Sequence, residues 1–203
     1  MASFWRQRLG SFPDEARGSA WTTVAHWYGY NDLEWNGRKY AGKRDSLISL
    51  RSLPQHLEKP CVIATDLKPA WDDYATFREA GWQFLAASEV CASVSSYLHF
   101  IAQSRGEIGI AKEGYVVSRA GWMSDRSVVY LALGRPVVFQ DTGWTEVVAP
   151  GPGMLLFHDV EDCVQAICSI ENEYDTHSRA AQALADTTFS PQQVLRPLLE
   201  KIL

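Results

Sequence analysis

The sequence predicts an α/β fold, and three observations carry that prediction. Short apolar, β-branched runs recur along the chain and alternate with stretches of helical period. Proline and glycine stand at many of the junctions, where they stop or start elements. Beyond Asp159 the pattern is helical to the end. Strands that alternate with helices at this spacing form a mostly parallel sheet covered on both faces. The expected architecture is Rossmann-like, with about six parallel strands, helices on both faces and a C-terminal helical tail.

Each element follows from local chemistry. Residues 1–20 show no period and read as an N-terminal arm or connecting segment; residues 21–203 form one domain. Trp21 to Trp27 is rich in β-formers and makes the first strand. Asn36-Gly37 between Leu33-Glu34-Trp35 and Arg38-Lys39-Tyr40 is a two-residue hairpin signal. Asp45 to Leu57 has helical spacing, shortened or kinked by Pro54. Cys61 to Thr65 reads as a buried parallel strand ended by Asp66. Pro69 opens the next helix, which Gly81 stops.

Trp82 to Leu85 is the third strand, a helix runs from Ser88 to Arg105, and Ile108 to Ala111 is the fourth strand. A polar loop then leads into a helix from Ser124 or Asp125, halted by Gly134-Arg135-Pro136. Pro136 to Gln140 and Met154 to Phe157 are the last two strands, and Ser190-Pro191 starts the final helix.

The 203 residues are enough to bury a core, and 46% hydrophobic with 21% charged residues is a globular composition. A net charge of −5 argues against a nonspecific nucleic-acid binder. Residues 105–135 are the exception, with five basic side chains against three acidic ones. Cys61, Cys91, Cys163 and Cys168 show no zinc spacing and read as free thiols, which suits a reducing cytoplasm. The first residues lack a signal-peptide core, and no run approaches the ~18 apolar residues of a membrane span. The expectation is a soluble cytoplasmic protein without a metal or cofactor.

Neither a dinucleotide glycine fingerprint, nor a P-loop, nor a serine-hydrolase elbow is present. In open α/β sheets ligands bind beyond the carboxyl ends of strands, at the switch in strand order. The loops after strands one, four and five therefore matter: His26 to Tyr30, Lys112 to Ser127 and Asp141 to Glu146. Free N–H groups at the start of the helix after Ser124, together with Arg126, would favour an anion. Lys112 adds a point charge, and Asp141-Thr142-Gly143 is either a ligand loop or a simple turn. Trp144 and Tyr115 could stack on a ring. Asp72-Asp73 is better explained by the helix dipole than by catalysis. The five histidines are scattered, with His26 set apart by its place near the end of strand one.

The run from Gly121 to Gly143, Gly-Trp-Met-Ser-Asp-Arg-Ser through Gly-Arg-Pro-Val-Val to Gln-Asp-Thr-Gly, resembles the C-terminal, donor-binding domain of GT-B glycosyltransferases. It is most similar to bacterial glycosyltransferase-like proteins. The similarity extends loosely over Trp21 to Leu203. By that resemblance the chain binds a nucleotide diphosphate sugar: Ser124, Asp125, Arg126 and Ser127 would meet the diphosphate with Lys112, and Asp141, Thr142, Gly143 and Glu146 would lie near the sugar or ribose. The paired glutamates of many retaining members are missing, and Val129 stands where the second would be.

The resemblance implies an acceptor-binding N-terminal domain that this chain lacks, so the chain alone would be inactive or weakly active. The catalytic residues are not identified. The alternative from another class is a noncatalytic interaction or regulatory module that keeps the fold.

Overall fold

The computed structural model describes residues 18–29, 32–146 and 148–202. Most of the arm expected over residues 1–20 lies outside the described residues; its end is pinned where Gly18 N donates to Gln103 O at 2.9 Å. The order is β1 (Trp21–Ala25), β2 (Leu33–Trp35), β3 (Arg38–Tyr40), α1 (Lys43–Ser49), a 3-10 turn (Leu53–His56), β4 (Cys61–Thr65), α2 (Asp72–Glu79) and β5 (Gln83–Ala86). There follow α3 (Ala87–Val90), α4 (Val94–Ala102), β6 (Gly106–Gly109), α5 (Glu113–Ser118), α6 (Asp125–Ala132), β7 (Val137–Gln140), a 3-10 turn (Trp144–Glu146) and β8 (Met154–Phe157). The helical tail is α7 (Val160–Asn172), α8 (Tyr174–Thr187) and α9 (Pro191–Ile202).

Six strands form one parallel sheet in the order β5-β4-β1-β6-β7-β8. The first three strands step one way from β1 and the last three step the other way. That arrangement is the Rossmann-like order, with its switch point between β1 and β6. Side chains alternate across the sheet: Val138 joins a core with Trp21, Ile63, Phe77 and Ile167, while Val137 and Phe139 join a second core with Tyr130, Met154 and Ala181. Both faces are therefore covered. Among the described residues no helix is long and apolar enough to cross a membrane.

The strands fall where periodicity puts them, with ends displaced by one to two residues. Asn36 and Gly37 both have positive φ, 49° and 69°, as the tight hairpin turn requires. Gly134, at φ 68°, closes α6 as the Gly-Arg-Pro stop implies.

Three helical expectations change. The segment from Asp45 to Leu57 splits into α1 and the 3-10 turn that holds Pro54. The helix expected from Ser88 breaks before Ser93, where a reciprocal Ser93–Ser96 capping box starts α4 afresh. Within the polar loop after strand four, α5 forms a short extra helix.

Candidate functional site

The carboxyl ends of β1 and β6 border the switch point, the place where sheets of this order bind ligands, and backbone contacts decide which side chains meet there. Gly114 N donates to Ala41 O at 2.9 Å and Glu113 N to Gly42 O at 3.3 Å, so the start of α5 is welded to the segment entering α1. A Cβ at Gly114 would stand 3.3 Å from Tyr40 Cβ, which shows how tightly the two segments meet. Gln140 fixes the end of β6, its Oε1 accepting from Ala111 N at 3.2 Å.

This docking brings two lysines to the switch point, Lys112 from one side and Lys43 from the other. Lys43 keeps part of its surface in solvent, yet desolvation pulls its ammonium down to about 7. The positive charge of Arg126 adds to that effect, Glu107 opposes it, and Lys112 adds again. The ammonium lies 5.9 Å from the centre of the Trp122 ring. Lys112 lies 5.1 Å from the Tyr115 ring centre, and Tyr115 leans on Trp122.

The start of α6 forms the third side. Ser124 is the N-cap, as expected, but its side chain makes no capping bond; Asp125 instead accepts from Arg126 N at 3.0 Å. Arg126 differs most from its reading as an outward-facing phosphate ligand. Its Nε lies 2.6 Å from Glu107 Oε1 and its Nη1 donates to Val24 O at 2.9 Å, so the guanidinium turns onto the face of the sheet. Burial is the largest influence and opposes its charge, but the Glu107 carboxylate, through its charge and its hydrogen bond, together with Tyr97 and Tyr130 keeps it protonated. Glu107 is 0% exposed. Among the described residues, Arg126 Nη2, Glu107 Oε2 and Ser127 Oγ are buried without a hydrogen-bond partner.

The loop after β7 is built as a turn. Asp141 Oδ1 accepts from Gly143 N at 2.8 Å, while Oδ2 lies 3.4 Å from both Arg119 Nη1 and His158 Nε2. Thr142 donates its hydroxyl to Trp122 O and accepts Gly121 N at its carbonyl. Glu146 is exposed and 3.5 Å from Arg119. The expected site residues thus form two adjoining groups: Lys112 with Ser124 to Ser127, and Asp141 to Glu146, joined through residues 119–122.

Several side chains take other roles. Trp144 is buried and packs edge-on against Phe139, so it belongs to the core. Asp73 is more than a dipole partner: it grips Arg44 through both oxygens and accepts from Trp27 Nε1 at 2.8 Å. Cys61 and Cys163 are buried thiols, the former pushed up to about 12 by burial, whereas Cys91 and Cys168 are exposed.

Lys43 and Glu107 were not legible as site residues. An acid inside an otherwise apolar strand is the one local signal for Glu107; Lys43 offers none.

No family model matches the chain, and no curated protein is similar to it at the level of sequence. Solved structures are. TarM superposes with a TM-score of 0.63 at 10% identity, covering 95% of this chain and 36% of TarM. Anabaena Alr3699/HepE, solved in complex with UDP, gives a TM-score of 0.56 at 17% identity, covering 99% of this chain and 52% of HepE. Both neighbours are glycosyltransferases, and the likeness shows that this chain has a GT-B glycosyltransferase-like fold. It spans about a third of the first and half of the second.

Proposed function

We propose that the chain is the donor-binding domain of a GT-B glycosyltransferase and holds a nucleotide diphosphate sugar at the switch point between β1 and β6. One observation carries the reading: three cations, Lys43, Lys112 and Arg126, converge beside the start of α6, and Lys43 is desolvated with no ion-pair partner among the described residues. Such a cluster is stabilised by an anion of two or more charges, and a diphosphate fits. The HepE structure with UDP supports the choice of ligand class.

Charge development on the departing diphosphate would be stabilised by Lys43, Lys112 and the backbone N–H groups at the start of α6, with no metal required. Arg126 would act from beneath through its charge and its unpaired Nη2. The acceptor would be bound by a second domain outside this chain, so the chain alone would transfer little or no sugar. A noncatalytic module is the second reading, favoured by Val129 standing where a ligand-gripping glutamate is expected.

Calorimetric titration with UDP, UMP and uridine tests the binding claim. Affinity rising with phosphate number is expected; no binding of any nucleoside diphosphate at millimolar concentration would overturn it.

A further inference from the structure

Two neighbouring lysines of the chain meet opposite surroundings. Lys39, on β3, is gripped by two carboxylates, Asp32 at 2.8 Å and Asp45 at 3.0 Å, and its hydrogen bonds to them hold its ammonium above the usual 10.5. Lys43, the first residue of α1, has no ion-pair partner among the described residues. Its place is nevertheless fixed. The carbonyl of Gly42 accepts Glu113 N and that of Ala41 accepts Gly114 N, which ties the backbone before Lys43 to the residues that follow Lys112. The side chain reaches to 5.9 Å from the centre of the Trp122 ring. Trp122 is itself held between Tyr115 and Phe139, with ring centres at 5.2 and 5.9 Å, and its carbonyl accepts the Thr142 hydroxyl. The charged groups that bear on the amine are Arg126 and Lys112, which repel its proton, and Glu107 and Asp125, which favour it. Part of the residue stays in solvent.

An amine in this setting is a nucleophile. An aromatic wall and neighbouring cations favour its neutral form, whose lone pair can attack a carbonyl. The same cations attract the phosphate end of a reagent. We propose that Lys43 is an acylation site, that its acyl donor is an acyl phosphate, and that the modification closes the diphosphate site. This rests on the reading of the switch point as a diphosphate site. Lys112 and the first N–H groups of α6 hold the donor's phosphate while Lys43 Nζ attacks its carbonyl carbon. The C–N bond forms, the bond from that carbon to the phosphate oxygen breaks, phosphate leaves with the electron pair, and the amine releases a proton to solvent. The product is a neutral, bulkier amide in place of a cation.

The test is peptide mass spectrometry of the full chain after brief treatment with acetyl phosphate, compared with the phosphate-free ester phenyl acetate. With acetyl phosphate, Lys43 is expected to react at least about tenfold faster than Lys39, Lys59 or Lys68, its rate levelling off above about pH 7 while theirs keep rising. With the ester that preference should shrink about threefold or more, and Lys112→Gln should slow the acetyl phosphate reaction by a similar factor. Excess UDP should suppress the reaction, and the acylated chain should bind UDP about tenfold more weakly. Equal preference for Lys43 with both reagents, or none with either, overturns this inference; if that chain still binds UDP in the calorimeter, the diphosphate reading stands. A chain that binds no nucleoside diphosphate overturns both.

Discussion

Arg126 and Glu107 form an ion pair, Nε to Oε1 at 2.6 Å, on the sheet face beneath the switch point, and no surface of Glu107 reaches solvent. Breaking one partner of such a pair strands a buried charge. Arg126→Ala is therefore expected to cost about 3–5 kcal/mol of stability, whatever it does to a ligand. Replacing both residues with apolar ones of similar size should cost less than either single change. Urea denaturation of the two single variants and the double variant measures this; equal, small losses in all three would contradict the pairing.

Lys43 is held in the folded state against its own charge. Its pKa falls from 10.5 to about 7, so between those values the unfolded chain binds more protons than the folded one. Stability contributed by this residue thus rises with pH from about 7 towards 10.5, and the full penalty remains below 7. Lys43→Met should stabilise the protein by about 0.5–2 kcal/mol at pH 6 and by less at pH 9, while weakening diphosphate binding. Denaturation at the two pH values, with parallel titrations of UDP, checks both halves.

Binding an anion beside Lys43 should return that proton. At pH 8 the free protein carries Lys43 largely neutral, so diphosphate binding takes up a proton; at pH 6 Lys43 contributes none. Calorimetry in buffers of different ionisation enthalpy reads the uptake directly. It should shrink in Lys43→Met.

Asp73 joins α2 to the start of α1. Hydrogen bonding from Arg44 is the main reason its carboxyl titrates below the ordinary 3.8. A depressed carboxyl stabilises the fold above its unfolded value and loses that contribution as the pH falls through the folded one. Asp73→Asn should cost about 1.5–3 kcal/mol at neutral pH and flatten the stability profile below pH 4, as acid-unfolding curves would show.

Gly143 sits at φ 87°, and a Cβ there would lie 3.1 Å from Arg119 Cβ. Gly143→Ala should destabilise by about 1–2 kcal/mol and loosen the Asp141 turn, detectable as faster amide exchange at Gly143 and Trp144.

Much of the fold is legible because its signals are local. Cys61 to Thr65 is apolar on both faces, Asn36-Gly37 demands positive φ, and Gly134-Arg135-Pro136 can only stop a helix. The Ser93–Ser96 cap was equally local, but the apolar residues on either side masked it. The site is less legible because its decisive contacts are distant in sequence. Arg126 shows its charge and its place at a helix start, yet the direction of its side chain depends on Glu107, in a strand nineteen residues away. Lys43 meets Arg126 and Lys112 only in the folded chain, where α5 docks on Ala41 and Gly42 and burial desolvates the ammonium.

The most direct test of the diphosphate site is a backbone 1H–15N titration of the chain with UDP. Shifts should concentrate at residues 43, 111–112, 124–127 and 141–143. Shifts confined to the opposite, amino-terminal end of the strands, around His56, Lys59, Cys168 and Glu171, or no shifts at millimolar UDP, would contradict the assignment.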